Sequence, residues 1–69
     1  MQKLPVQSRI IDSVYFSPEN GQLQIRFRNG EERRFEGLAE SDATALCAAP
    51  SPGHHYLEHI RKRFRRLAA

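Results

Sequence analysis

The stretch Gln22-Leu23-Gln24-Ile25-Arg26-Phe27-Arg28-Asn29-Gly30-Glu31-Glu32-Arg33-Arg34-Phe35 decides the fold. Leu23, Ile25 and Phe27 alternate with Gln22, Gln24 and Arg26. A strand over residues 22–27 therefore has one apolar face and one wet face, as in a half-exposed antiparallel sheet. Arg28-Asn29-Gly30 is the turn, and side-chain parity sets its length. A two-residue Asn-Gly turn would pair Phe27 with Glu32 and Gln24 with Phe35, turning Phe35 to water. A three-residue loop with Gly30 left-handed pairs Leu23 with Phe35 and Ile25 with Arg33. Phe35 then enters the core, Arg26 meets Glu32 on the outer face, and Arg33 stands on the inner face beside Ile25.

Working outward, Ile11 to Phe16 is rich in β-branched and aromatic residues and reads as the preceding strand, with Ile11, Val14 and Phe16 inward. Ser17-Pro18-Glu19-Asn20-Gly21 is a cluster of turn formers joining the two strands. Residues 1–7 read as a flexible arm. Beyond Gly37, Ala39 to Ala48 reads as a short helix with Glu40, Ser41 and Asp42 near its positive end. Pro50-Ser51-Pro52-Gly53 breaks the chain, and His54 to Leu67 reads as a second helix whose Tyr56, Leu57, Ile60, Phe64 and Leu67 form one apolar stripe. Burying Ile60 or Phe64 is worth roughly 1.5–3 kcal/mol each. The expected architecture is α+β: a three-stranded antiparallel β-meander followed by two helices packed on one face, in a single domain over residues 8–69.

At 69 residues the chain holds one domain, which buries only about 60% of its unfolded surface. Its lone cysteine, Cys47, excludes an internal disulfide and suits a reducing compartment. The first five residues show no signal-peptide run and no segment is apolar enough to span a bilayer, so a cytoplasmic protein without a membrane partner is expected. The formal charge of +3 is unevenly spread. Residues 1–60 hold six Lys/Arg and eight Asp/Glu, a balance of −2, whereas residues 61–69 add Arg61, Lys62, Arg63, Arg65 and Arg66 with no acid, a balance of +5.

The order of motifs resembles a known family. Ser8-Arg9-Ile10-Ile11, Ser17-Pro18-Glu19-Asn20-Gly21, Phe27-Arg28-Asn29-Gly30, Phe35-Glu36-Gly37-Leu38, and Ser51-Pro52-Gly53 through His59-Ile60-Arg61 to Phe64 together resemble the KTSC domain, from about Val6 to Phe64. That domain occurs at the C-terminus of some lysyl-tRNA synthetases and as stand-alone bacterial proteins, and the resemblance implies a small accessory module with a suggested link to RNA. The family's Ser-Ser-Asn-Ile opening keeps only Ser8 and Ile11 here. Its central Tyr-x-Tyr falls on Arg33-Arg34-Phe35, so Arg33 replaces the first ring and Phe35 keeps the second.

Candidate chemistry is sparse. On a helix, at about 100° per residue, Arg61, Lys62, Arg65 and Arg66 fan out opposite the apolar stripe, a face able to track phosphates. The alternative is a solvated face, with Glu58 pairing Lys62 or Arg61 and the cations favoured by the helix dipole. Arg26 and Arg34 extend the footprint onto the outer sheet face, which by this reading carries no aromatic for base stacking, so backbone contact is expected rather than base readout. Arg33 either snorkels past the sheet edge, the favoured reading, or lines a groove for an anion. His55 and His59 are spaced to share a zinc ion but lack further ligands, and no metal or other cofactor is expected. Cys47 with His54 or His55 is a poor nucleophile–base pair, since a cysteine beside Leu46 packs as a small hydrophobe. No phosphate loop, dinucleotide fingerprint or nucleophile elbow is present, and no enzyme is expected. The sequence thus predicts a small module that contacts RNA or another polyanion through a basic C-terminal helix, or alternatively a protein–protein interaction module. It leaves the oligomeric state open.

Overall fold

The computed structural model describes residues 1–67; Ala68 and Ala69, the end of the expected 8–69 domain, lie outside the described residues. The strands are β1 (Gln2–Leu4), β2 (Ile11–Ser17), β3 (Gln22–Phe27), β4 (Glu32–Glu36) and β5 (Arg65–Leu67). They form one antiparallel sheet in the order β1-β2-β3-β4-β5. Helix α1 spans Glu40–Ala48, and helix α2 spans Pro52–His55 and runs on into a π-helical turn over Tyr56–Ile60.

The central hairpin follows the parity argument. Leu23 pairs with Phe35, Ile25 with Arg33 and Arg26 with Glu32. The Phe27 amide donates to the Glu31 carbonyl at 2.8 Å, leaving Arg28-Asn29-Gly30 as the loop. Gly30 has φ of 92°, a left-handed conformation that glycine adopts without steric cost. Strand β2 needs one device the alternation alone does not supply. Ile11 and Val14 both point inward although they are three residues apart, because two steps from Ile11 to Ser13 match a single step from Phe27 to Arg26. The bulge leaves Asp12 exposed and returns Ile11 to the core face.

Both helices cover that inner face. Ala43 and Leu46 of α1 and Tyr56 and Ile60 of the second helix join Ile11, Val14, Phe16, Leu23, Ile25, Phe35 and Leu38 in one core. Tyr56 meets the edges of two sheet rings, with centroids 5.2 Å from Phe27 and 5.9 Å from Phe35. Such T-shaped pairs add about 0.5–1.5 kcal/mol beyond area burial.

Two expectations about the architecture are corrected. Among the described residues the sheet has five strands rather than three. Gln2–Leu4, inside the stretch read as a flexible arm, pairs along β2, with Lys3 opposite Tyr15 and Leu4 opposite Val14. The second helix ends at Ile60 instead of continuing to Leu67. Its last turn is wide, the Arg61 amide donating to the Tyr56 carbonyl at 2.8 Å, and the widening leaves Leu57 39% exposed while Tyr56 and Ile60 stay buried. The Phe64 amide then closes a turn on Ile60, and residues 65–67 pair with β4. The reason is electrostatic and structural. A continued helix would set Arg61 against Arg65 and Lys62 against Arg66 at i,i+4, each pair destabilising by about 0.2–0.5 kcal/mol. A strand sends Arg65 and Arg66 to opposite faces and satisfies the open edge of β4.

Candidate nucleic-acid interface

The outer face of the sheet is the only face of it that no helix covers among the described residues, and side-chain alternation decides what stands there. With Val14, Phe16, Leu23, Ile25 and Phe35 inward, the register places Lys3, Tyr15, Gln24, Arg34 and Leu67 in one row across all five strands. Arg26 stands one row away between Ser13 and Glu32, and Arg65 stands opposite Glu36 at the far edge. This face thus carries Lys3, Arg26, Arg34 and Arg65 against Glu32 and Glu36. Among the described residues none of these four cations has a carboxylate within 4.0 Å. Glu32 instead accepts a hydrogen bond from Gln24 Nε2 at 3.2 Å.

The structure separates the residues expected on one basic helix. Arg61 and Lys62 stand exposed in the turn after Ile60, and Lys62 pairs with Glu58 at 3.7 Å. Arg65 joins Arg26 and Arg34 on the outer face, while Arg66, opposite Phe35, lies on the other side of β5. The basic C-terminal helix is therefore corrected to an exposed turn followed by an edge strand. Arg63 places its guanidinium 5.8 Å from the Phe64 ring centroid, within cation–π range.

Arg33 and Phe35, where the resemblance implies a Tyr-x-Tyr, share the inner side of β4. Phe35 is buried in the core. Arg33 runs outward, donating to the Glu31 carboxylate at 2.7 Å and to the Glu32 carbonyl at 3.0 Å. This is the snorkelling geometry, with the guanidinium held by a neighbour in its own chain.

Sequence reasoning missed two outer-face residues, Lys3 and Tyr15. The expectation that this face has no aromatic is corrected by Tyr15, which is partly exposed there. The signal was present: if Val14 and Phe16 point inward, Tyr15 between them points out. Lys3 gave no comparable signal, because its strand is only three residues long.

Elsewhere, His55 and His59 lie with ring centroids 4.6 Å apart in a shallow hollow shared with Asp42 and Arg63. Burial, and then the charge of His59, holds His55 below its ordinary pKa. Among the described residues no group of three or more His, Cys, Asp or Glu is placed to hold a metal ion. Cys47 lines a different hollow, under Leu4 and Pro5, and burial pushes its thiol pKa up, away from the reactive thiolate. No helix among the described residues is long and apolar enough to cross a membrane.

Comparison with known proteins bears on the family. The KTSC domain family model matches residues 7–64. A solved structure of a KTSC domain protein from Yersinia pestis is 28% identical, superposes with a TM-score of 0.86, and the match covers 99% of this chain and 96% of that one. No curated protein matches.

Proposed function

The chain belongs to the KTSC domain family, and from that premise we propose that it is a non-catalytic module that binds RNA, or nucleic acid more broadly, through backbone phosphates. The observation that carries this reading is the uncovered outer sheet face, where Lys3, Arg26, Arg34 and Arg65 stand without carboxylate partners among the described residues. Guanidinium groups pair bidentately with phosphate oxygens, and an unpaired exposed arginine loses no ion pair on doing so. Arg61 and Lys62, on the turn, are secondary, as is Arg66 at the other side of the β5 edge. Binding is weak, salt-sensitive and indifferent to sequence, since phosphates carry no base information.

The test is a titration of the full chain with short single-stranded RNA across a range of salt. Each neutralised phosphate contributes a slope of about −0.7 in log affinity against log salt, so four cations predict roughly −3. Arg34→Ala should lower the slope by about 0.7. A slope near zero, or one that Arg34→Ala leaves unchanged, would refute the reading.

A second reading is favoured by a different observation: among the described residues the sheet has open edges at β1 and β5, and an extended segment of an acidic protein partner can add to such an edge. Binding of that kind depends on partner shape and identity more than on total charge.

A further inference from the structure

We infer that the outer sheet face binds single-stranded nucleic acid in preference to duplex, with Tyr15 as the ring on which a base stacks; this rests on the phosphate-binding reading above. Tyr15 sits in the middle of β2, held by strands on both sides, with Lys3 opposite it on β1 and Gln24 opposite it on β3. Its ring belongs to the outer face, away from the core that Val14 and Phe16 complete, and it is partly exposed there. An aromatic in an interior strand is a rigid platform, because the sheet fixes the backbone on either side of it. Every base has a π-face, so stacking on such a ring is tolerant of sequence.

The surroundings suit a strand that lays its bases on the sheet. Lys3 is the immediate neighbour, about 5 Å away across one strand spacing, and Arg34 lies two spacings away at about 10 Å in the same row. Gln24, between Tyr15 and Arg34, adds an amide beside the stacked base. Cations therefore flank the ring on both sides in the row, where the phosphates of a strand stacked at Tyr15 would pass. A duplex keeps its bases paired and stacked inside, so it offers this face only phosphates.

The experiment compares three ligands on the full chain at one low salt concentration: an eight-nucleotide oligouridylate, an abasic ribose-phosphate chain of equal length, and a duplex RNA. The oligouridylate should bind about tenfold tighter than the abasic chain, in the range of base–aromatic stacking. Its addition should move the Tyr15 ring proton resonances while leaving those of buried Tyr56 in place. The duplex should behave like the abasic chain once affinities are expressed per phosphate. Tyr15→Phe should keep the preference, and Tyr15→Leu, which preserves an apolar strand residue, should abolish it. Equal affinity for the oligouridylate and the abasic chain, with the Tyr15 ring signals unmoved, overturns stacking and leaves phosphate binding standing. No binding to any of the three overturns both.

Discussion

Gly21 offers a quantitative test of how the sheet is tied to the helical layer. It closes the turn between β2 and β3 with φ of 68°. Its amide donates to the Ser17 carbonyl at 2.9 Å, and its carbonyl accepts from the Leu38 amide at 3.1 Å. A Cβ added at this position would stand 2.8 Å from the Leu38 carbonyl oxygen, a backbone atom that cannot swing aside. Gly21→Ala therefore carries left-handed strain of about 1 kcal/mol, overpacking of about 1–3 kcal/mol, and damage to a backbone hydrogen bond worth about 1 kcal/mol. The sum, about 3–5 kcal/mol, is comparable with the roughly 3–10 kcal/mol that stabilises a domain of this length. Gly30→Ala is the control: φ is 92° there, but nothing lies within 4 Å of its Cβ, so only strain applies. Urea unfolding followed by far-UV circular dichroism reads the difference. With a slope near 1 kcal/mol per molar urea, Gly21→Ala should have a midpoint about 2–4 M below that of Gly30→Ala, or no folded baseline at all. Equal midpoints for the two variants would refute the claim that contact with Leu38 sets the cost.

Two further outcomes follow from local chemistry. Ala39 holds the N-cap position of α1 with φ of −84° and ψ of 161°, and its amide donates to the Asp42 carboxylate at 2.9 Å, but it has no side-chain oxygen to return the bond. Ala39→Ser should complete that capping box and raise stability by about 1 kcal/mol, seen as a melting temperature about 4–8 °C higher. His55 is held below its ordinary value of 6.5 by burial and then by His59, so the folded state disfavours its protonated form. Its contribution is full above the unfolded value and falls as pH drops through the window between that value and the lower folded one. Urea midpoints should therefore decline from pH 7.5 to pH 5, and His55→Gln should shrink the decline; an unchanged decline would place its origin elsewhere.

The hairpin was legible because two constraints coincided. Alternation marked the faces of β3, and the need to bury Phe35 selected a three-residue loop, the register now seen with Leu23 opposite Phe35. Tyr56 and Ile60 were legible as core residues for the same reason of period. The end of the second helix was not. Ile60, Phe64 and Leu67 are spaced as a helix would space them, yet Phe64 ends a turn and Leu67 ends a strand. What decides between helix and strand there is the unsatisfied edge of β4, a non-local demand that no window of sequence contains. The like-charge pairs across Arg61–Arg65 and Lys62–Arg66 were the local warning. Strand β1 escaped because one half-buried leucine in three residues has no period. The candidate site was half legible: Arg26 and Arg34 were read onto the outer face, where the register sets them, but Arg65 reached it only through the strand that the sequence read as helix, and Tyr15 was overlooked.

The two borders of the sheet bring the cations into a second light. Each border strand is three residues long, one carrying Lys3 with Pro5 just beyond it, the other carrying Arg65 and Arg66. Short length, like charge and a nearby proline are what keep bare strand borders of neighbouring molecules from zipping together into aggregates. Removing Lys3, Arg65 or Arg66 to probe phosphate contact also strips that protection. A variant that loses binding must therefore be shown still monodisperse by light scattering before the loss is credited to the missing charge.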